Sequence, residues 1–201
     1  MHRFYLPPEQ TGSDTIRLEG REAHHAADVL RVRRGDTAEI LNGSGEIFTS
    51  EVAEAGKSKV VLKMIKRRLV PRPPWQITLF QALPKGKNFD LIIEKATELG
   101  AARVVPILTE RVVTTGENSE HKVERWKLTA IDAIKQCGSP WLPSISTPLK
   151  FAEALKLNPD FEMSLVGSLH PGAKHPRVHL DKLDILPPAD RKSTRLNSSH
   201  T

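Results

Sequence analysis

The chain has 201 residues, 38% of them hydrophobic and 5% aromatic, with 30 Lys and Arg against 24 Asp and Glu and a formal charge of +6. That is enough apolar material for one sizeable domain or two small ones, and the basic excess favours a polyanion such as RNA or DNA as partner. Cys137 is the single cysteine, so an intramolecular disulfide is excluded; no apolar run approaches the ~18 residues of a membrane span, and MHRFYLPPEQ lacks the apolar stretch of a signal peptide, so a soluble cytoplasmic protein is expected.

In chain order, residues 1–70 read as short strands between turns. IRLEG (16–20) is a strand, followed by a short helical piece around EAHHAADVL. Gly35 and Asp36 turn the chain into TAEIL, NGSG (42–45) turns it again, and EIFTSEV alternates apolar and polar residues. Gly56 marks a further turn before KVVLKMIKR, a strand with a basic end. Short alternating strands between Gly-rich turns predict a small β-barrel or sandwich.

VPRPPW (70–75) breaks this pattern, and its prolines suit a stiff linker. Beyond it strands and helices alternate. ITLFQAL (77–83) is a nearly continuous apolar strand, as in a sheet buried on both faces. Asn88 caps a helix that runs to Leu99 and stops at Gly100, with Phe89, Ile92, Ile93, Ala96 and Leu99 on one side and Asp90, Glu94, Thr97 and Glu98 on the other. VVPILT (104–109) is a second strand. HKVERWKLTAIDAIKQCG is a second amphipathic helix, with Val123, Trp126, Ala130, Ile134 and Cys137 at helical spacing, and SLVGSL (164–169) reads as another strand. This β-α-β-α order predicts a parallel sheet covered by helices. The polar tail DRKSTRLNSSHT has no pattern; residues 191–201 read as non-native sequence or as a disordered terminus.

One stretch, LPKGKNFDLIIEKATELGAARVVPILTERVV (83–113), resembles the 16S ribosomal RNA uracil-N3 methyltransferases of the knotted SPOUT superfamily. MHRFYLPPE, HHAADVLRVRRGD (24–36) and ERWKLTAIDAIKQCGSPWLPSI (124–145) extend the resemblance over roughly residues 1–190. It implies an α+β two-domain protein. Residues 1–70 would be a PUA-like RNA-binding β-barrel, 71–76 a linker, and 77–190 the first part of an α/β SPOUT methyltransferase domain. It further implies S-adenosylmethionine as cofactor, 16S rRNA in the small ribosomal subunit as partner, and a homodimer. The family's cofactor motifs, a Gly-Pro-Glu-Gly loop and a Leu-Arg-x-Glu-Thr-Ala segment in the C-terminal trefoil knot, do not occur in these 201 residues. Only the first edge of the donor pocket, around Gly167, Ser168 and Leu169, is expected, and with it no activity of these residues alone.

Methylation at uracil N3 requires the N3 proton to leave, the base to be held in line, and charge on the uracil oxygens to be met by donors. Lys85 and Lys87 follow the first strand of the second half, at the sheet edge where α/β folds bind ligands; they grip phosphate or form a solvated loop. Arg111 follows the second strand on the same edge and is read as a catalytic contact to phosphate or base, against a surface ion pair. Glu98, one turn from Glu94, is a carboxylate candidate for catalysis, against a surface or dimer contact. Gln136, at a helix end, bonds RNA or the knot, or caps the helix. His24 and His25 point in different directions, so one packs and the other meets RNA, joined by Arg3, Arg31, Arg33 and Arg34. No Cys/His cluster supports a metal, Cys137 reads as a small core residue, and Trp75, Trp126 and Trp141 read as core or hinge packing.

Overall fold

The computed structural model describes residues 1–56, 58–85, 88–109, 119–157, 161–168 and 170–180. It divides into two units, Met1–Leu155 and Lys156–Thr201. In the first, β1 (His2–Tyr5), β2 (Thr15–Glu19), β3 (Thr37–Leu41), β4 (Glu46–Ala55) and β5 (Lys59–Leu69) form one sheet in the order β1-β3-β4-β5-β2. β1 runs parallel to β3 and the other pairs are antiparallel. The long β4–β5 ladder shifts register twice, between Thr49 and Ser50 and between Val52 and Glu54. Such bulges bend and twist a strand pair. The bent sheet wraps so that Phe4, Ile16, Leu18, Ile40, Phe48, Val52, Val60 and Leu62, drawn from all five strands, meet in one core. This is the barrel that the alternating strands predict. α1 (Gly20–His24) and a π-helical turn, His25–Val29, add Ala23 and Ala26 to that core.

A second sheet follows, entirely parallel: β6 (Thr78–Ala82), β7 (Arg103–Leu108), β8 (Ser144–Ile145) and β9 (Leu149–Lys150). β6 lies on one side of β7. On the other, β8 pairs with Arg103 and Val104, and β9 with Ile107 and Leu108, at the two ends of the same strand. The sequence pattern misses both, because two-residue strands carry no periodicity. α2 (Asn88–Glu98) and α3 (Ser119–Cys137) join the β6–β7–β8 order, and the five-residue α4 (Phe151–Leu155) follows β9. Phe89 and Trp126 meet at 4.6 Å between ring centroids, at the centre of a core with Ile93, Val104, Val123, Ala130 and Ile145.

Four details depart from the sequence reading. β6 is only half-buried, because among the described residues it ends the β6–β7–β8 ladder and has a strand neighbour on one side. Thr97, read as polar-face, is 1% exposed; its hydroxyl donates to the Ile93 carbonyl at 2.7 Å, which removes the penalty for burying it. Leu99, read as core, is 84% exposed because α2 ends at Glu98 and the chain turns through Gly100 at φ +81. Cys137, also read as core, is exposed at the last position of α3.

In the second unit, α5 (Arg177–Leu180) is the one regular element among the described residues. The expected strand 164–169 is not formed over 164–168, and Val166 there is 89% exposed. An apolar run becomes a strand only when another strand takes its backbone N–H and C=O groups, and none does so here among the described residues.

Candidate functional site

In a parallel β-α-β unit the strand ends that follow the chain share one edge, and the helix between them runs back to the other. Ala82, the last residue of β6, pairs with Ile107 near the end of β7. The exposed Lys85 follows directly and therefore stands at this C-terminal edge. Lys87 and Arg111 lie outside the described residues. Glu98 does not join Lys85. α2 carries it about 16 Å back along its 11 residues, to the edge where β7 begins. There Lys95 takes Glu94 at 2.7 Å and Glu98 at 3.0 Å. These hydrogen bonds, Glu94 first and then Glu98, push the Lys95 ammonium above its ordinary range. Glu98 is thus one arm of a surface ion cluster, and the catalytic reading of it has no geometric support.

On the barrel the two adjacent histidines separate as their spacing predicts. His25 packs edge-on against Phe4, with ring centroids 6.3 Å apart. His24 turns outward, 72% of its side chain exposed, with Nδ1 2.7 Å from Asp28 Oδ2. Arg31, Arg33 and Arg34 are all exposed, and their side chains make no ion pair or hydrogen bond with the described residues. Arg31 holds φ at +52, a left-handed conformation that costs a residue with a Cβ about 1–2 kcal/mol. The turn behind it is set by the Arg33 backbone N–H, which donates to Asp36 Oδ2 at 2.7 Å.

Arg3 and Gln136 belong to a different feature, a polar seam between the barrel and α3. The Arg3 guanidinium donates to Glu39 at 3.0 Å and to the carbonyls of Lys135 and Gln136 at 3.2 and 3.1 Å. It neutralises the negative end of the helix, an effect of roughly 0.3–1 kcal/mol, rising when partly buried. Lys135 pairs with Glu22 at 2.8 Å, each side chain only 11% exposed, and with Asp132 at 3.1 Å; Arg21 also binds Asp132. His2, Arg3, Arg21, His25, Asp132, Lys135 and Gln136 line a cavity of about 410 Å³. Its cations are matched by Glu22, Glu39 and Asp132, so it is a joint and not an anion trap. A second contact lies beside it. Gly45 donates to the Pro140 carbonyl at 2.9 Å, and a Cβ on Gly45 would sit 2.3 Å from the Trp141 ring. Arg72 covers the same indole at 4.7 Å. Glu22, Glu39, Asp132, Lys135 and Arg72 carry no motif. Only the pairing of elements distant in sequence exposes their role.

Gly167 and Ser168 do not form a cofactor cradle. Both are exposed, nothing lies within 4 Å of a Cβ built on Gly167, and the Ser168 hydroxyl accepts the His170 backbone N–H at 3.1 Å. Leu169 lies outside the described residues. Among the described residues no wall surrounds these groups, so those residues do not fit S-adenosylmethionine. Among the described residues no group of three or more His, Cys, Asp or Glu side chains is placed to hold a metal, and no helix is long and apolar enough to cross a membrane.

Comparison with known proteins matches both halves. The family profile described as RNA methyltransferase domain covers residues 71–193, and that described as RNA methyltransferase PUA domain covers residues 18–65. The ribosomal RNA small subunit methyltransferase E of Synechocystis sp. is 33% identical over 154 residues, spanning 76% of this chain and 49% of that protein. The protein of the same name from Aquifex aeolicus is 29% identical over 183 residues, 90% of this chain and 77% of that one. The chain thus spans about half the length of the first relative. The crystal structure of the Neisseria gonorrhoeae enzyme of this name, bound to S-adenosyl methionine, superposes with a TM-score of 0.70 at 27% identity, covering 82% of this chain and 66% of that one. A Legionella pneumophila structure with bound SAM gives 0.72 at 28% identity, covering 85% and 70%.

Proposed function

Since the chain belongs to the RNA methyltransferase family, with the family's PUA domain ahead of its methyltransferase domain, we propose that the protein methylates uracil N3 in 16S rRNA of the small ribosomal subunit, with S-adenosylmethionine as donor. The observation that carries this reading is the match of both profiles, in order, to a barrel followed by a parallel sheet. The working boundaries are 1–70 for the RNA-binding barrel, 71–76 for the linker and 77–190 for the start of the methyltransferase domain, in a homodimer.

Each group has a proposed task. His24, Arg31, Arg33 and Arg34 hold RNA phosphates; they are exposed, and the strain at Arg31 is of the kind that gathers at binding loops. Lys85 holds a phosphate or a uracil oxygen at the C-terminal strand edge, where charge develops as the N3 proton leaves. Lys87 and Arg111, outside the described residues, are assigned the same task from the sequence. Arg3 and the Gln136 carbonyl fix the barrel on α3.

We further propose that these 201 residues alone neither bind S-adenosylmethionine usefully nor transfer its methyl group. A ligand of that size normally loses ~70–90% of its exposed surface on binding, and Gly167 and Ser168 stand in the open. On this view these residues alone act as an RNA-binding module. Calorimetry with the cofactor and a tritiated-methyl assay on small ribosomal subunits test both statements. The 201 residues are expected to be silent in both, and a chain extended through the Gly-Pro-Glu-Gly and Leu-Arg-x-Glu-Thr-Ala motifs active in both. Methyl transfer by the shorter chain would overturn the second proposal; an extended chain that binds the cofactor and leaves small-subunit uracil unmodified would overturn the first.

A further inference from the structure

β5 carries a row of cations that the reading above leaves unused. Val60 and Leu62 face the core. In a regular strand the next inward positions would be 64 and 66, and Lys66 would point into the barrel. The register shift between Thr49 and Ser50 prevents this. Met64 pairs with Ser50 and Lys66 with Thr49, which leaves Ile65 as the extra residue and sends Lys66 outward. Lys63, Lys66 and Arg68 consequently stand opposite Glu51, Thr49 and Ile47, alternate residues of β4 on one face. Those partners on β4 repeat at about 6.8 Å, two residues of antiparallel strand.

Nothing in the fold requires this row. All three side chains are exposed and make no ion pair or hydrogen bond with the described residues. Arg67, on the other face, is the one whose charge is answered, by Glu46, and it lies 5.9 Å above the Phe48 ring. Glu51 is the single carboxylate directly opposite the row. Like charges aligned along a strand face repel and lower stability, so a row kept in line by a bulge points to an external anion. A row of three cations along one strand suits a chain of repeated charges better than a compact anion.

We propose that Lys63, Lys66 and Arg68 form a track for the RNA phosphate backbone, a second contact beyond the Arg31–Arg34 loop. The proposal rests on the RNA-binding reading of the barrel. The test is fluorescence anisotropy of the 201-residue chain with a labelled RNA hairpin, titrated over a range of salt. In K66E/R68E the slope of log affinity against log salt is expected to shrink by roughly 1.4–1.8, two contacts at ~0.7–0.9 each. K66R/R68K is expected to keep the wild-type slope, since both charges remain. If charge reversal lowers the melting temperature, K66Q/R68Q gives the same readout. An unchanged slope in the charge-removing variants, with R33A/R34A weakened, would overturn the track and leave the RNA reading intact. A wild-type chain that does not bind RNA removes both. Loss of binding to anionic phospholipid vesicles with RNA affinity unchanged would assign the row to a membrane surface and overturn the proposal.

Discussion

Gly45 shows how one missing side chain holds two distant segments together. Its φ of +97 suits glycine, and the space a Cβ would need is taken by the Trp141 ring. Gly45→Ala is therefore expected to lower unfolding stability by about 2–4 kcal/mol, combining left-handed strain with overpacking. Gly12→Ala, with nothing within 4 Å of its Cβ, should change it little; urea denaturation compares the two. Tyr5 offers a titration at the same scale. Burial, and then the charge of Glu9, push its phenol above the ordinary value of 10.0. The folded state thus holds the proton more tightly than the unfolded one. Its stabilising effect is complete below the unfolded value and is lost as pH rises through the folded one. As the one tyrosine of the chain, it can be followed by phenolate absorbance. The midpoint is expected above about 10, and Glu9→Gln should lower it only part of the way, because burial remains the larger cause.

Among the elements, α3 does the joining. One stripe, Val123, Trp126 and Ala130, enters the core of the parallel sheet, while Ile134 packs with Leu41 and Ile47 of the barrel. Lys135 and Asp132 then meet Glu22 and Arg21 of α1. Lys135→Met is expected to cost about 2–3 kcal/mol. This is somewhat below the ~3–5 of a fully buried pair, because an 11% exposed carboxylate keeps some water. Glu22→Gln combined with Lys135→Met should recover most of the loss, since no uncompensated charge then remains. Thermal or urea unfolding of the two single variants and the double gives the coupling directly. A sum equal to the singles would remove Lys135–Glu22 as an interacting pair. The 3.6-residue period reveals α3 but not this use of it. On a helical wheel Lys135 belongs to the polar side, and only the docked barrel turns that side into an interior.

At the scale of the molecule, the order of strands and helices and the family resemblance were legible in the residues themselves. Alternation of period two, helical stripes and Gly turns are local consequences of backbone geometry, and local chain physics reads them without a partner. The separation of His24 from His25 was legible for the same reason: adjacent side chains on a helix diverge by about 100°. What only the tertiary structure decided were the properties that depend on a neighbour far along the chain. SLVGSL is as apolar as β7 yet lacks a strand partner among the described residues, so it forms no strand over 164–168. Glu98 looks like a catalytic carboxylate until the direction of α2 places it at the far edge of the sheet, bound to Lys95. Lys66 reads as one more basic residue until the β4–β5 bulge turns it into line with Lys63 and Arg68. In each case the residue type is encoded locally, but its direction and its partner are set by strand register and helix docking. Those depend on burying all the apolar faces at once, a condition that no window of sequence contains.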